Sequence, residues 1–162
     1  MNILFISLGC DKNLVDSEVM LGLLDKKGYQ IVDSEEDADI IVVNTCCFIH
    51  DAKEESIQTI LEMAEKKKAG TCKVLIVTGC MAQRYKKEIS EEIPEVDAIL
   101  GTTSYGDISK AVKEAQAGRH FEEYKSIDFL PDISGKRMLT TGGHFAYLKI
   151  AEGCDKHCTY CI

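Results

Sequence analysis

The residues of this sequence best suited to chemistry are its cysteines, of which there are eight among 162 residues. The first residues, Met1–Phe5, carry no basic region, so we expect no secretory signal. In a reducing cytoplasm, clustered cysteines more often bind metal or perform redox chemistry than form disulfides. The sequence therefore predicts metal or redox sites, and the spacing of the cysteines decides which kind.

Three cysteines crowd the end of the chain with the spacing C-x3-C-x2-C, in the run Cys154-Asp-Lys-His157-Cys158-Thr-Tyr160-Cys161. One short loop of this spacing can contact three corners of a cubane [4Fe–4S] cluster and leave the fourth iron open. A zinc loop that uses His157 as its fourth ligand is the alternative. The apolar run that leads into the loop and the aromatic Tyr160 both favour the cluster.

Three other cysteines each follow an apolar run of strand length: Cys10, Cys46 and Cys80. The carboxyl ends of parallel strands lie at one edge of a sheet, so these thiols can converge on one small object. Three thiolates without a fourth ligand suit a [4Fe–4S] cluster with an open iron better than structural zinc. Helix N-termini at the same edge should favour the thiolate form. The alternatives are small buried residues without chemistry, or a reactive thiol pair.

The remaining cysteines and histidines carry weaker signals. Cys47 is predicted to be a spectator or an alternative ligand, because adjacent side chains point to different sides. Cys72 precedes its strand, at the opposite edge of the sheet, and is predicted to be structural. The histidines outside the terminal loop, at positions 50, 120 and 144, are predicted to be surface or linker residues.

The elements that position these residues alternate between strands and helices. Strands are predicted at 2–8, 29–32, 39–44, 73–78 and 97–100. Helices are predicted from Asn13 to the residues before Gly28, at 51–69, at 81–92 and at 104–117. This order predicts an α/β fold: an open, mostly parallel, flavodoxin-like sheet with helices on both faces. Asn13, with Asp16 three residues later, resembles a helix N-cap.

The pattern divides the chain into three parts. Residues 1–118 are predicted to form the α/β domain, and 119–143 a linker that could hold a short hairpin. Residues 144–162 should begin a second domain, with a new strand near His144 that runs into the Cys154 loop. We expect this last part to be truncated, since one strand and one loop cannot bury a core.

Charge and hydropathy exclude several function classes. No apolar run approaches the roughly 20 residues that cross a bilayer, so we expect no membrane association and a cytoplasmic protein. The net charge of −8 argues against direct nucleic-acid binding by this segment and suits a basic partner.

Four motifs together resemble one family, the methylthiotransferases of the radical SAM superfamily. They are Gly9-Cys10-Asp-Lys-Asn-Leu-Val-Asp-Ser-Glu18, Asn44-Thr-Cys46-Cys-Phe-Ile49, Thr78-Gly-Cys80-Met-Ala-Gln-Arg-Tyr85 and Tyr147-Leu-Lys-Ile-Ala-Glu-Gly-Cys154. Within the family, the first motif resembles the ribosomal-protein (RimO-like) branch. That branch adds a methylthio group to the β-carbon of an aspartate in small-subunit ribosomal protein S twelve. A departure is Cys47, where the branch often has glycine.

The resemblance implies specific roles for residues. Cys10, Cys46 and Cys80 would hold an auxiliary [4Fe–4S] cluster that carries the donated sulfur. Cys154, Cys158 and Cys161 would hold a second [4Fe–4S] cluster that cleaves S-adenosyl-L-methionine, with the backbone at Tyr160 against the adenine. No catalytic residue beyond these ligands is predicted.

The resemblance also implies partners. These are the ribosomal protein or small ribosomal subunit, a reductase as electron donor and a sulfur donor. The missing remainder of the radical SAM barrel predicts that these 162 residues alone are inactive. The alternatives are a tRNA adenosine methylthiotransferase of the same family and a zinc-stabilised binding module.

Overall fold

The computed structural model describes residues 1–131 and 137–160 of the chain. Strands and helices alternate through the first 123 residues. Their order is β1 (Asn2–Ser7), α1 (Asp11–Lys26), β2 (Gln30–Val32), β3 (Ile40–Thr45), α2 (His50–Lys68), β4 (Val74–Gly79), α3 (Cys80–Arg84), α4 (Lys86–Glu92), β5 (Ala98–Leu100), a 3-10 turn (Tyr105–Asp107), α5 (Ile108–Gln116) and β6 (Phe121–Glu123).

All six strands form one parallel sheet in the order β2-β1-β3-β4-β5-β6. This arrangement confirms the predicted α/β class, and its first five strands have the flavodoxin-like order. Every residue of β3 and β4 is buried. Their continuous Ile/Val/Leu character follows from helices that cover both faces.

Alternate strand residues serve two separate cores. Ile40, Val42 and Ile76 face α1 and α5, where Leu24 and Ile108 pack against them. The opposite face meets α2, α3 and α4 through a second set of residues, including Ile41, Val43, Leu75, Val77, Ile60 and Ile89. Each fully buried side chain of this size contributes about 1.5–3 kcal/mol, so the two layers fix the sheet and its edges firmly.

Two predicted helices differ in detail from the observed ones. The helix predicted at 81–92 is broken at Tyr85, whose backbone leaves the helical region. Lys53 of α2 donates to the Tyr85 hydroxyl and lies over its ring, which holds this residue against α2. The helix predicted at 104–117 begins as a 3-10 turn before α5.

The predicted linker contains a strand of the sheet. β6 pairs parallel with β5, so the hairpin expected within 119–143 is not formed in the described part of that range. The strand predicted near His144 is wrong, because described residues 144–153 form no ladder with any described strand. Side chains hold this stretch instead, as when Arg137 donates to the carbonyl of Tyr147. Among described residues, no helix has the length and apolar character needed to cross a membrane.

Candidate functional site

The structure brings Cys10, Cys46 and Cys80 to the carboxyl ends of three adjacent strands. Cys10 is the N-cap of α1, Cys46 directly follows β3, and Cys80 is the first residue of α3 after β4. The parallel register aligns Ser7 with Asn44 and Asn44 with Thr78, so the three chain segments leave the sheet at nearly one level. Their placement at one edge agrees with the sequence analysis, and their role as ligands stays a prediction.

Glycine permits the close approach of the first two segments. Gly9 has a φ of +91°, a conformation that residues with a Cβ rarely adopt. A Cβ at this position would lie 2.5 Å from the Cβ of Cys46 and 2.8 Å from its Sγ. The backbone before Cys10 therefore passes directly against the Cys46 side chain.

Asn13 connects all three cysteine segments. Its Nδ2 donates to the carbonyl of Leu8 at 3.0 Å and to that of Thr45 at 2.9 Å. Its Oδ1 accepts the thiol of Cys80 at 3.6 Å. The predicted N-cap role is wrong, because Cys10 occupies the cap and the buried Asn13 amide reaches across two strand ends. Its position three residues after Cys10, on the same side of the helix, was the available signal.

Ser56 was not identified from the sequence. This fully buried serine on α2 accepts the backbone N–H of Cys46 at 3.0 Å and donates to the Cys46 carbonyl at 2.9 Å. These two hydrogen bonds fix the position of the Cys46 backbone at the point where the chain leaves β3. No sequence pattern pointed to it, because its partner lies ten positions earlier in another segment.

A buried polar network supports this edge from below. Asn44 donates to the carbonyl of Asn13 and to the hydroxyl of Ser17, each at 2.9 Å. Ser7 and Ser17 share a hydrogen bond of 2.7 Å. Since buried polar groups are stable only when they are hydrogen-bonded, this network ties α1 to β1 and β3 in one orientation.

The electrostatics of Cys80 differ from the expectation. Burial, and to a smaller extent the neighbouring thiols of Cys47, Cys46 and Cys10, raise the pKa of the Cys80 thiol to about 11. The predicted thiolate is therefore not favoured at Cys80 in the metal-free protein. α3 has only five residues, so its N-terminal dipole is too small to offset the loss of hydration.

Cys47 also belongs to this cluster of thiols. The Cys47 thiol, like those of Cys46 and Cys10, raises the pKa of Cys80. Burial raises the pKa of Cys47, and the nearby guanidinium of Arg84 opposes that rise. Cys47 therefore stays the alternative to Cys46 in the predicted ligand set.

The thiols at this edge are a donor type that both zinc sites and iron–sulfur clusters use. Within the described residues, no group of three or more His, Cys, Asp or Glu side chains is close enough to share one metal ion. In a zinc site, every cysteine sulfur lies about 2.3 Å from the same metal ion. In a cubane cluster, each cysteine sulfur binds a different iron atom. All four thiols at this edge are free, and a cleft of about 580 Å³ opens beside Cys10 and Cys46.

The other predicted site residues lie elsewhere. Cys154 and Cys158 are exposed, Tyr160 is 81% exposed, and Cys161 lies outside the described residues. Cys72 is buried in the core at the opposite edge of the sheet, as the sequence predicted for a structural residue.

Comparisons with known proteins identify related sequences. Residues 2–101 match the family described as Uncharacterized protein family UPF0004, a range that includes Cys10, Cys46 and Cys80. A relative from Lachnoclostridium phytofermentans is 65% identical over 162 residues, covering 100% of this chain and 37% of its own length.

Two further relatives are similar. A protein from Clostridioides difficile is 53% identical over 156 residues, and one from Pelotomaculum thermopropionicum is 50% identical over 157 residues. These matches cover 96% and 97% of this chain and 35% of each relative. All three relatives are named Ribosomal protein uS12 methylthiotransferase RimO. The chain spans about a third of the length of these curated relatives, and it belongs to the family UPF0004.

Proposed function

We propose that this chain is the part of a ribosomal-protein methylthiotransferase that carries the sulfur to be transferred. Methylthiotransferase is the activity in the names of its relatives. One observation carries the proposal: Cys10, Cys46 and Cys80 follow three adjacent strands, and the single amide of Asn13 bonds all three segments. With these bonds, the buried Asn13 side chain fixes the three segments relative to one another at this edge of the sheet. The acidic charge of the chain supports a basic ribosomal protein as substrate.

Cys10, Cys46 and Cys80 would hold an auxiliary [4Fe–4S] cluster, with Cys47 as the alternative to Cys46. When bound, the cluster would offer an open iron to the sulfur that is transferred. The chain's own residues do the rest at this site. Ser56 and Asn13 orient the segments, and of the cysteines they position, Cys46 is buried and Cys10 is exposed.

The C-terminal group has a separate proposed role. Cys154, Cys158 and Cys161 would hold the second [4Fe–4S] cluster, which binds S-adenosyl-L-methionine, with the backbone of Tyr160 near the adenine. The proposal includes an external reductase and a sulfur donor as partners. The residues beyond this chain in its relatives would complete the pocket, so the 162 residues alone are expected to be inactive.

Anaerobic reconstitution with ferrous iron and sulfide tests the sulfur site. We expect about four irons for the auxiliary cluster, with broad absorbance in the visible range. Cys10→Ser and Cys80→Ser should each lose most of this iron. Cys72→Ser is the matched control, because this buried cysteine lies at the far edge of the sheet and should leave the iron content unchanged. Comparing Cys46→Ser with Cys47→Ser identifies the second ligand.

Two outcomes would contradict the cluster. One is binding of zinc in place of iron, and the other is an equal loss of iron in Cys72→Ser and Cys10→Ser. Substrate identity needs the full-length parent protein. Mass spectrometry of ribosomal protein and tRNA from a deletion strain should show loss of the methylthio group from the protein. Loss from tRNA with intact protein modification would favour the tRNA branch of the family.

A further inference from the structure

α1 is buried on two sides, although a helix that only covers a sheet needs to bury one. One side packs on the sheet through Met20 and Leu24. Outside this contact, Asp16 and Glu18 are also buried, at 7% and 0% exposure, and they point to different sides of the helix because they are two residues apart. Carboxylates are rarely buried unless they are paired, so these two residues must have partners on the element that covers them.

The partners of Glu18 all lie in one distant segment. Glu18 Oε2 accepts Nε of Arg137 at 2.6 Å and also pairs with Nη2 of that guanidinium. Its Oε1 accepts the backbone N–H of Thr140 at 2.7 Å and the Thr140 hydroxyl at 2.9 Å. The backbone carbonyl of Glu18 accepts the N–H of Met138 at 3.0 Å. Both carboxylate oxygens are therefore committed to residues 137–140.

Asp16 makes a second attachment farther along the same segment. Its Oδ1 lies 2.5 Å from Nζ of Lys149, and the two side chains are only 10% and 9% exposed. The same ammonium contacts Glu152 at 2.7 Å and lies 5.4 Å from the centre of the Tyr105 ring. Arg137 also donates to the carbonyl of Tyr147, which joins the two attachments.

These contacts connect the two cysteine groups through one helix. Cys10 caps α1, and Asp16 lies six residues later, about 9 Å along the helix axis. Lys149 is five residues before Cys154, so the chain between them spans at most about 18 Å. The ion pair between Asp16 on α1 and Lys149 therefore limits how far the Cys154 loop can move from the sheet edge that carries Cys10.

We propose that Asp16 and Glu18, with Arg137, Thr140 and Lys149, form a clasp that positions the second cysteine group relative to the first. Glu18 is its main positioning residue. The clasp itself stands on these contacts alone, and its purpose, which is to hold two clusters at a working separation, rests on the proposed function. Ion pairs suit this task because they fix orientation, whereas an apolar contact of equal area would allow sliding.

Hydrogen–deuterium exchange of the whole 162-residue chain at pH 7 tests the clasp. The amides of Met138 and Thr140 should be protected, and Glu18→Gln, which keeps the side-chain volume, should raise exchange across 137–149 by about tenfold or more. Asp25→Asn is the matched control, because this carboxylate is exposed on the same helix. Peptides from β3 and β4 should stay protected in every variant, which shows that the sheet remains folded.

If Glu18→Gln does not fold, exchanging the charges of Asp16 and Lys149 provides a second test. Asp16→Lys should raise exchange around Lys149, and the double variant Asp16→Lys/Lys149→Asp should restore the protection. The clasp is overturned if Glu18→Gln exchanges like the Asp25→Asn control, or if the swap restores nothing. Iron content is measured on the same samples. Failure of the unsubstituted chain to bind iron would contradict the proposed function while leaving the exchange result to decide the clasp.

Discussion

Among single residues, the missing side chain of Gly9 matters to the candidate site as much as the thiols do. Gly9 has no Cβ, and for that reason the backbone before Cys10 can touch Cys46. Asn13 then holds the three segments with one amide. Removing such an amide would leave the buried carbonyls of Leu8 and Thr45 without that donor, which typically costs about 1–3 kcal/mol per group.

The substitution Gly9→Ala separates steric fit from backbone strain. Gly28→Ala is its control, since Gly28 has a similar φ of +83° but no atom within 4 Å of the place that an added methyl group would occupy. Both substitutions should cost about 1–2 kcal/mol of strain. Gly9→Ala should cost a further ~1–3 kcal/mol from the overlap with Cys46 and should also lower iron binding. Urea unfolding of both variants measures the difference, and equal losses would refute the close approach.

Among the elements, α1 serves three purposes at once: it covers the sheet, presents Cys10, and pairs with residues 137–152. In the sequence, the motif Gly9–Glu18 indicated a family, a ligand at Cys10 and a helix cap at Asn13, and the structure gives physical roles to further residues of the motif. Asn13 spans strand ends, Ser17 joins the polar network, and Asp16 and Glu18 face the distant segment. Such a helix has few positions free to vary.

The two buried carboxylates of α1, Asp16 and Glu18, should influence stability with opposite dependence on pH. Burial raises the pKa of Asp16 to about 6, although Lys149 opposes that rise. The folded state then binds a proton that the unfolded state, with a pKa of about 3.9, has released. The contribution of Asp16 to stability is therefore fully present below pH ~4 and is lost as the pH rises to about 6.

Burial also disfavours the charged form of Glu18, but hydrogen bonds from Thr140 and Arg137 outweigh it and lower the pKa. Its contribution is present above the unfolded pKa of about 4.3 and is lost in more acidic solution. Urea unfolding between pH ~3 and ~7 measures both effects. The stability of wild type relative to Asp16→Asn should fall from pH ~4 to ~6, whereas relative to Glu18→Gln it should rise with pH below about 4.5. Parallel pH profiles for the two variants would contradict this assignment.

In the molecule as a whole, the sheet continues past the predicted end of the first domain at residue 118. β6 covers the edge of β5, and the following residues bind back to the turn before α5. Thr103 donates to the carbonyl of Ser126 at 3.1 Å, and Lys125 pairs with Asp107 at 2.5 Å. The cooperative unit of folding should therefore include at least residues 121–126.

Shortened chains test this boundary. A chain of residues 1–131 should be more stable than one of residues 1–118 by about 1–3 kcal/mol, because the shorter chain loses the partial burial of Phe121 and Tyr124. It should also expose the edge of β5 to association between chains. Urea unfolding and light scattering compare the two, with Phe121→Ala in the 1–131 chain as an intermediate case. Identical unfolding midpoints would show that the domain ends before β6.

Local patterns along the chain were enough to establish the α/β class, the faces of the sheet and the edge on which three cysteines lie. Apolar runs encode buried strands, and parallel crossovers bring strand ends to one side. Long-range packing settled three other features: Asn13 is a bridge rather than a cap, β6 joins the sheet, and described residues 144–153 have no described strand partner.

The residues that meet through long-range packing are far apart in the sequence. Their separations run from 22 to 133 positions, as in Thr103 with Lys125, Asn13 with Thr45, and Asp16 with Lys149. No local pattern specifies which of many compatible segments will meet, because that choice depends on how the whole chain packs.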